Sequence, residues 1–326
     1  MHARALALAG CAVLALAVKA SLPALAADYP DHPVKVIVPF AAGGPTDVMA
    51  RLLTQKLSES LKQQFYVEDH AGAGGNIGMA MAARAAPDGY TVLVASSSFM
   101  VNPSLYANPP YHPFKDFAPV TRAAATPNIV VVHPSIPAKT IKDLIALVKA
   151  NPGKYTFANA GIGTTPQLAA ELLKLSYGLD ATSIPFGGSG PEIQSTLAAQ
   201  TPIAFSTLPP TIPHLTGGAL RGLAVTSAKR AAALPDVPTM AESGIEGQES
   251  ETMQGVLVPA GTPAAVIDRL NREIVKAMQL ADVKAKCLEL GFDVVADSPQ
   301  DFAAYIKNDV EKWAKVIRDA KIPQIQ

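Results

Sequence analysis

A short apolar strand that runs through a glycine-rich turn into a helix occurs twice in this sequence. In the first copy, the strand Val34–Val38 leads to a helix predicted over Thr46–Leu61. In the second copy, the strand Tyr155–Ala158 leads to a helix predicted over Thr165–Leu175. Short β-branched runs alternate with segments of 3.6-residue periodicity along the rest of the chain, which is the pattern of strands covered by helices. The sequence therefore predicts an α/β fold.

Two apolar stretches interrupt this alternation and indicate passages of the chain between two lobes. The first passage is Ala118–Val132, and the return passage is Met253–Val258. We therefore expect a discontinuous first lobe of residues 27–124 and 251–326, a continuous second lobe of residues 125–250, and a cleft between them.

The first 26 residues have the pattern of a secretory signal peptide. Arg4 gives a cationic start, Ala5–Val18 is apolar, and Ala24–Ala26 supplies the small-x-small cleavage pattern. The apolar run is too short for a permanent membrane span, and no later run of about 18 apolar residues follows. Cleavage before Cys11 would instead leave a lipid-anchored protein, but the apolar segment ahead of that thiol is short. The sequence thus favours a secreted protein that is not lipid-anchored.

Charge, cysteine and histidine content argue against several classes of protein. The 27 basic residues equal the 27 acidic ones, and removal of residues 1–26 leaves 25 against 27, a net charge of −2. Such a chain has no strong positive field for nucleic acid. The mature chain would keep one cysteine, Cys287, and the six histidines lack metal-binding spacing. We expect no disulfide, no metal site, no cofactor and no nucleic acid partner.

The two glycine-rich turns are candidate anion-binding sites. Small residues let a ligand approach the backbone, and the first N–H groups of a helix have no internal partners and carry the positive end of its dipole. One such turn is more often a simple connection, but two that face one cleft from separate lobes favour a binding site. The candidate residues are Phe40, Ala41, Ala42, Gly43, Gly44, Thr46 and Asp47 in the first turn and Ala160, Gly161, Gly163, Thr164 and Thr165 in the second.

Two further segments follow predicted strands at the edge where α/β sheets bind ligands. Ser97 and Ser98 come after the strand Thr91–Ala95, and their hydroxyl groups can donate to a carboxylate. A solvated loop explains these serines equally well. The other candidates, after a short strand that ends at Pro185, are Phe186, Gly187 and Gly188.

Two motifs of other functions are nearly matched. Gly72–Gly78 lacks the third glycine of a dinucleotide fingerprint, so we interpret it as a structural turn and helix entry. Gly187–Pro191 lacks the second glycine of a nucleophile elbow. A hydrolase with Ser189 as nucleophile and His214 or His133 as base is therefore the alternative function rather than the first choice.

Five motifs are spread along the chain: PFAAGGPTDVMAR (Pro39–Arg51), AGAGGNIG (Ala71–Gly78), APDGYTVLVASSS (Ala86–Ser98), GIGTTPQLAAEL (Gly161–Leu172) and LPDVPTMAESG (Leu234–Gly244). Together they resemble the Bug family, also called TctC, of periplasmic solute-binding receptors of tripartite tricarboxylate transporters. The resemblance covers essentially the whole chain after the signal peptide. It implies a type II periplasmic-binding-protein fold, in which two α/β lobes close on a ligand.

The resemblance also implies how a ligand is held and delivered. In this family a ligand carboxylate binds two βα turns, largely through backbone N–H groups and ordered water, and the matching positions are Phe40–Asp47 and Ala160–Thr165. Ser97, Ser98 and the turn Pro185–Ser189 match further cleft-lining stretches. The implied protein is a monomer that performs no catalysis and delivers a di- or tricarboxylate or an aromatic acid to membrane subunits of the transporter. Signalling by the liganded receptor to a sensor kinase is an alternative role.

Three departures from the family pattern bear on the ligand. Gln167 stands where many relatives have histidine, and Met253–Gly255 stands where they often have Trp-Tyr-Gly. Pro202 and Ser206 replace positions where acids are common. Because lost acids would weaken a site for an amino group, these departures favour a plain carboxylate over an amino acid.

Overall fold

The computed structural model describes residues 29–319 and 322–326, so the predicted signal peptide and Cys11 lie outside the described residues. The strands are β1 Val34–Val38, β2 Phe65–Asp69, β3 Thr91–Ala95, β4 Phe117–Val132, β5 Thr156–Asn159, β6 Thr182–Pro185, β7 Ile203–Thr207, β8 Arg221–Val225, β9 Glu251–Pro259 and β10 Asp293–Val294. The helices are α1 Pro45–Leu61, α2 Asn76–Ala83, α3 Ser98–Leu105, α4 Ile141–Lys149, α5 Thr165–Tyr177, α6 Ser189–Leu197, α7 Leu208–Thr216, α8 Ala264–Gln279, α9 Ala281–Glu289 and α10 Pro299–Asp319. Within these two ranges, none of the helices has both the length and the apolar character needed to cross a membrane.

The strands are hydrogen-bonded in the order β2-β1-β3-β9-β4-β7-β5-β6, and β8 and β10 pair with β4. The long strand β4 joins the two halves of this order. Its residues 117–127 pair with β9, and Asn128–Val132 pair with β7. We call the half that contains β1, β2, β3, β9 and β10 lobe 1, and the half that contains β5 to β8 lobe 2. Strand β4 leaves lobe 1 at Asn128, and the chain returns to it at the start of β9. The predicted two-lobed α/β architecture is confirmed.

Each lobe is built around its own hydrophobic clusters. In lobe 1, Leu53 and Leu57 of α1 pack on β1, and in lobe 2, Leu144 and Val148 of α4 pack on β4 and β5. The apolar faces predicted from periodicity for α8 and α10 are confirmed as buried: Val266, Leu270, Ile274 and Met278, and Phe302, Ile306, Trp313 and Ile317. The clusters divide close to residues 124 and 250, but the domain boundaries themselves stay a prediction.

Two of the predicted helix starts are confirmed and two are wrong. Thr140 forms the predicted capping box at α4, and Ser298 Oγ accepts from Asp301 N–H at 3.1 Å at the start of α10. Thr262 does not cap α8, which begins after Pro263, because its hydroxyl donates to Pro259 O. Neither Thr46 nor Asp47 caps α1, whose N-cap is a glycine.

Several elements differ from the sequence predictions. The residues at Ser98, read as either a loop or a site, begin helix α3, and β4 continues without a break through the segment 123–128 that separates its two apolar runs. Strand β7 and helix α7 were not predicted, since the prolines of Leu208–Thr216 obscure a helical pattern. Pro209 and Pro210 lie in the first turn of α7, where a helix needs no backbone N–H.

Candidate ligand-binding site

The two glycine-rich turns have the same backbone conformation. Gly43 and Gly163 have φ of +85° and +79°, in the left-handed region that favours glycine. The residues that follow, Gly44 and Thr164, are extended, with φ of −81° and −79°, and immediately precede α1 and α5. Each lobe therefore presents the same turn and helix start to the cleft.

In each turn, the glycine N–H donates a hydrogen bond to the side chain four residues further along, which we call the brace of that turn. Gly43 N–H donates to Asp47 Oδ2 at 2.8 Å, and Gly163 N–H donates to Gln167 Oε1 at 3.3 Å. Asp47 is also paired with Arg51, at 2.6 Å. The brace in lobe 1 is therefore charged and paired with a cation, whereas the brace in lobe 2 is neutral.

The two lobes touch across the cleft. Ala41 N–H of lobe 1 donates to Gly187 O of lobe 2 at 3.1 Å. Gly190, in the first turn of α6, lies so close to lobe 1 that a Cβ atom on it would be 2.5 Å from Ala42 O. A Cβ on Gly74 would overlap a backbone carbonyl of lobe 2. Glycine at these positions lets the lobes close over the space between them.

A narrow cavity lies between the lobes at the ends of these turns. Its wall has apolar groups and hydroxyl groups and no charged side chain. The lining residues are Phe40, Gly44, Pro45, Thr46, Ser96, Ala160, Thr164, Pro166, Gly188, Ser189, Thr207 and Thr252. A second, larger space adjoins it, shares Phe40 and Ala160, and extends to the loop Gly72–Gly75.

The starts of three helices supply backbone donors near this cavity. Within the described residues, the N–H groups of Thr46 (α1), Thr165 (α5) and Ser189 (α6) donate no hydrogen bond. The N–H of Thr164 is different, because it donates to Gly161 O at 3.2 Å inside its own turn. Unpaired amides at helix starts favour a negatively charged ligand, so the cavity can hold an anion without a cationic side chain.

Nine of the predicted site residues lie on the walls of these two spaces. Lining the main cavity are Phe40, Gly44, Thr46, Ala160, Thr164 and Gly188. Lining the adjoining space are Gly161, Phe186 and Gly187. The loop Gly72–Gly75, interpreted from the sequence as structural only, also lines the adjoining space.

The other predicted residues line neither of these two spaces. They are Ala41, Ala42, Gly43, Asp47, Ser97, Ser98, Gly163 and Thr165. Ser97, Ser98 and Thr165 are buried, and their hydroxyl groups bond to other protein groups. Their roles as ligand contacts stay a prediction.

Sequence reasoning missed several lining residues. Thr207 ends the unpredicted strand β7, and Thr252 precedes the stretch assigned to the return passage. Ser96 precedes the predicted pair Ser97 and Ser98 in one serine run, and Ser189 was both a nucleophile candidate and the end of the turn Pro185–Ser189 that the resemblance matches to cleft-lining stretches. A search for hydroxyl residues at the carboxyl end of every predicted strand would have found Ser96 but not Thr207, because β7 was not predicted.

The geometry does not assemble the alternative hydrolase site. The hydroxyl of Ser189 lies 3.5 Å from Thr207 Oγ1, and the cavity wall contains no histidine. His133 is half-buried, and its ring contacts Ser135 Oγ at 2.8 Å. A serine without a base in reach is a poor nucleophile.

Two carboxyl groups behind the turns are less acidic than usual. Glu192 of α6 is fully buried beside Ser206, and burial raises its pKa well above the usual range. Burial, and secondly the charge of Asp47, raise the pKa of Asp69, although Arg51 at 2.9 Å lowers it. Burial therefore favours the neutral form of Glu192, which adds no negative charge behind the cavity.

Comparison with known proteins agrees with this architecture. The family model of the tripartite tricarboxylate transporter family receptor, TctC, matches residues 49–322. The Protein BugT of Bordetella pertussis is 37% identical over 299 residues, which are 91% of this chain and 92% of that protein.

Two solved structures from Rhodopseudomonas palustris are also similar. A structure with adipate superposes with a TM-score of 0.89 at 32% identity and covers 91% of this chain and 100% of that one. The structure of MatC with bound malate superposes with a TM-score of 0.85 at 30% identity and covers 89% and 100% of the two chains. The fold, the matched motifs and these relatives together show that the chain belongs to the TctC family, also called the Bug family, of periplasmic solute-binding receptors.

Proposed function

We propose that this protein binds a small organic carboxylate between its lobes and delivers it to a tripartite tricarboxylate transporter. The observation that carries the proposal is that Thr46 of lobe 1 and Ser189 of lobe 2, whose N–H groups have no partner among the described residues, both line a cavity whose wall has no charged side chain. Those amides and the surrounding hydroxyl groups are donors for a carboxylate, and Phe40, Pro45 and Pro166 supply apolar contacts for its carbon skeleton. The ligand class is a di- or tricarboxylate or an aromatic acid.

The relatives support this ligand class, since the two similar structures hold adipate and malate. Neutral donors neutralise an anion less strongly than an arginine clamp would. Selectivity then depends on lobe closure, which buries polar groups that only a matching ligand can pair. No step of this function breaks or forms a covalent bond.

The partners and location follow from the same function. We propose that the protein acts as a monomer in the periplasm and passes its ligand to membrane subunits of the transporter. The predicted signal peptide, residues 1–26, would direct its export.

Thermal unfolding with a panel of acids tests the proposed ligand class. We expect malate, adipate, citrate or benzoate to raise the melting temperature of the protein, since a ligand bound only by the native state stabilises it by about 2.7 kcal/mol at one hundred times its Kd. Glutamate and asparagine serve as comparison ligands, for which we expect smaller shifts. If no acid in the panel raises the melting temperature, the carboxylate function is refuted.

A further inference from the structure

The points where β4 leaves lobe 1 and β9 returns to it are joined by three buried polar side chains. Asn128 is the residue at which β4 changes its partner from β9 to β7. Thr252 is the second residue of β9, and Thr165 is the first residue of α5, directly after the ligand-facing turn of lobe 2. All three are at most 4% exposed. We call these residues the hinge cluster.

The hinge cluster is joined by direct hydrogen bonds. Thr252 donates to Asn128 Oδ1 at 2.8 Å, and Thr165 Oγ1 lies 3.3 Å from the same oxygen. The hydroxyl groups of Thr165 and Thr252 also contact each other. Asn128 Nδ2 donates to Ser250 Oγ at 3.0 Å, which ties the last residue before β9 to the same amide.

Lobe 1 holds the same part of β9 from its own side. Ser97 Oγ accepts from Met253 N–H at 3.0 Å and donates to Glu251 O at 3.4 Å. Ser97 directly follows Ser96, which lines the cavity. The segment Glu251–Met253 is therefore bonded both to a cavity-lining segment of lobe 1 and to one of lobe 2.

The hinge cluster joins groups of different lobes. Thr165 belongs to α5 of lobe 2, whereas Thr252 lies on β9 of lobe 1. A rotation at the two crossing points that opens the cleft would separate the two hydroxyl groups. Buried polar groups are unfavourable when they lose their partners, so the cluster favours the arrangement in which the lobes touch.

We propose that Asn128 and Thr252 are positioning residues, which hold Thr165 and the adjoining turn of lobe 2 against lobe 1 and thereby slow ligand release. Asn128 acts on the ligand through Thr165, whereas Thr252 acts through Thr165 and also lines the cavity itself. This inference rests on the proposed carboxylate-binding function. It assigns the predicted ligand residue Thr165 a second task, because its hydroxyl serves the hinge while its backbone N–H remains unpaired.

A double-mutant cycle tests the hinge cluster. Thr165→Val and Thr252→Val each remove one hydroxyl and keep the β-branched shape. We expect each to raise the dissociation rate of malate or adipate about tenfold, as for the loss of one buried hydrogen bond, and to change the association rate by less than about twofold. The double variant should release ligand no more than slightly faster than either single variant, because both changes break the same contact.

Thr226→Val is the matched control. Thr226 is equally buried, and its hydroxyl bonds to backbone oxygens of Asn128 and Ser250, but it does not reach α5. We expect a comparable loss of thermal stability and an unchanged dissociation rate. Equal dissociation rates in Thr252→Val and Thr226→Val, or additive effects in the double variant, would overturn the proposal.

Hydrogen exchange without ligand separates this inference from the proposed function. In Thr252→Val we expect faster exchange in the peptide around Leu168, whose N–H donates to Thr164 O at 3.0 Å, than in Thr226→Val. Equal exchange in the two variants overturns the positioning role. If the wild-type protein binds neither malate nor adipate, the function fails for these acids, and the exchange result alone decides the hinge cluster.

Discussion

At the scale of single residues, the two ligand-facing turns differ mainly in the charge of their braces. Asp47 in lobe 1 is negative but lies 2.6 Å from the Arg51 guanidinium. Gln167 in lobe 2 accepts the corresponding hydrogen bond from Gly163 N–H and carries no charge. The side of the cleft formed by α5 is therefore the less repulsive one for a carboxylate, and the charge at position 167 should affect anion affinity directly.

Gln167→Glu tests this difference. The new carboxylate can still accept the Gly163 N–H, so we expect the turn to persist, while its charge opposes a bound acid by about 1 kcal/mol, or about fivefold in Kd. Calorimetric titration with malate measures the loss, which should shrink in about 1 M salt because of screening. Gln300→Glu, exposed at the start of α10, is the control for net charge. Equal affinity of the Gln167→Glu variant and the wild type at low salt would contradict the assignment.

The sequence predicts the backbone of these turns better than the direction of their side chains. Gly43 and Gly163 are recognisable because a left-handed turn before a helix needs glycine. The hydroxyl group of Ser97, for which the sequence left a ligand and solvent equally open, bonds to β9, and the hydroxyl group of Thr165 bonds to Asn128. Those partners lie far away in the sequence, and a local pattern contains no information about them.

At the scale of elements, the start of α6 is the part of lobe 2 that approaches lobe 1 most closely. Gly188 and Ser189 line the cavity, and Gly190 packs against Ala42 O. The absence of a side chain at Gly190 is a requirement of the contact between the lobes, since its φ lies outside the left-handed region and does not itself require glycine.

Gly190→Ala should therefore separate ligand affinity from stability. The added methyl group would lie 2.5 Å from Ala42 O, and we expect it to oppose closure by about 2 kcal/mol, or roughly thirtyfold in the Kd for malate. The melting temperature without ligand should stay the same or rise, because alanine is favoured over glycine in a helix. Gln194→Ala, exposed on the same helix, reports the effect of helix propensity alone. Wild-type affinity in Gly190→Ala would show that this contact is not needed for binding.

Elements with a clean periodic pattern were predicted within a few residues, as α4 and α8 show. The exceptions have local physical causes. In α7, three prolines conceal a helix whose first turn tolerates two of them, Pro209 and Pro210, and at α8, Thr262 turns back to Pro259 O and leaves the start of the helix uncapped. In each case the residue type alone does not decide the structure: a proline can begin a helix or interrupt one, and a threonine hydroxyl can cap a helix or donate to a nearby carbonyl.

At the scale of the whole molecule, the two crossings of the chain determine what function is possible. They were predictable because Ala118–Val132 and Met253–Val258 are apolar runs that interrupt the βα alternation, and the family resemblance implied two lobes. The contact of Ala41 with Gly187 was not predictable. It joins residues of different lobes, and its formation depends on the relative orientation of both lobes rather than on any segment.

The stability of the whole molecule should depend on pH through Glu192. This residue is buried in lobe 2, and within the described residues neither of its carboxyl oxygens has a hydrogen-bond partner of good geometry. Its pKa is raised well above the ordinary value of 4.5 because burial disfavours the charged form. Above pH 4.5 the unfolded chain releases this proton while the native protein keeps it, so the free energy of unfolding falls as pH rises, by up to about 1.4 kcal/mol per pH unit.

Glu192→Gln removes this dependence, because an amide of the same shape has no proton to release. We expect the variant and the wild type to unfold with similar free energies near pH 4, where both native and unfolded glutamate are neutral. At pH 7 the variant should be the more stable of the two, which urea unfolding at each pH measures. Glu311→Gln, at an exposed position of α10, controls for the loss of one acidic residue. If the wild type and Glu192→Gln keep a constant difference from pH 4 to pH 7, then Glu192 ionises in the native protein, and lobe 2 must supply it with a partner or with water.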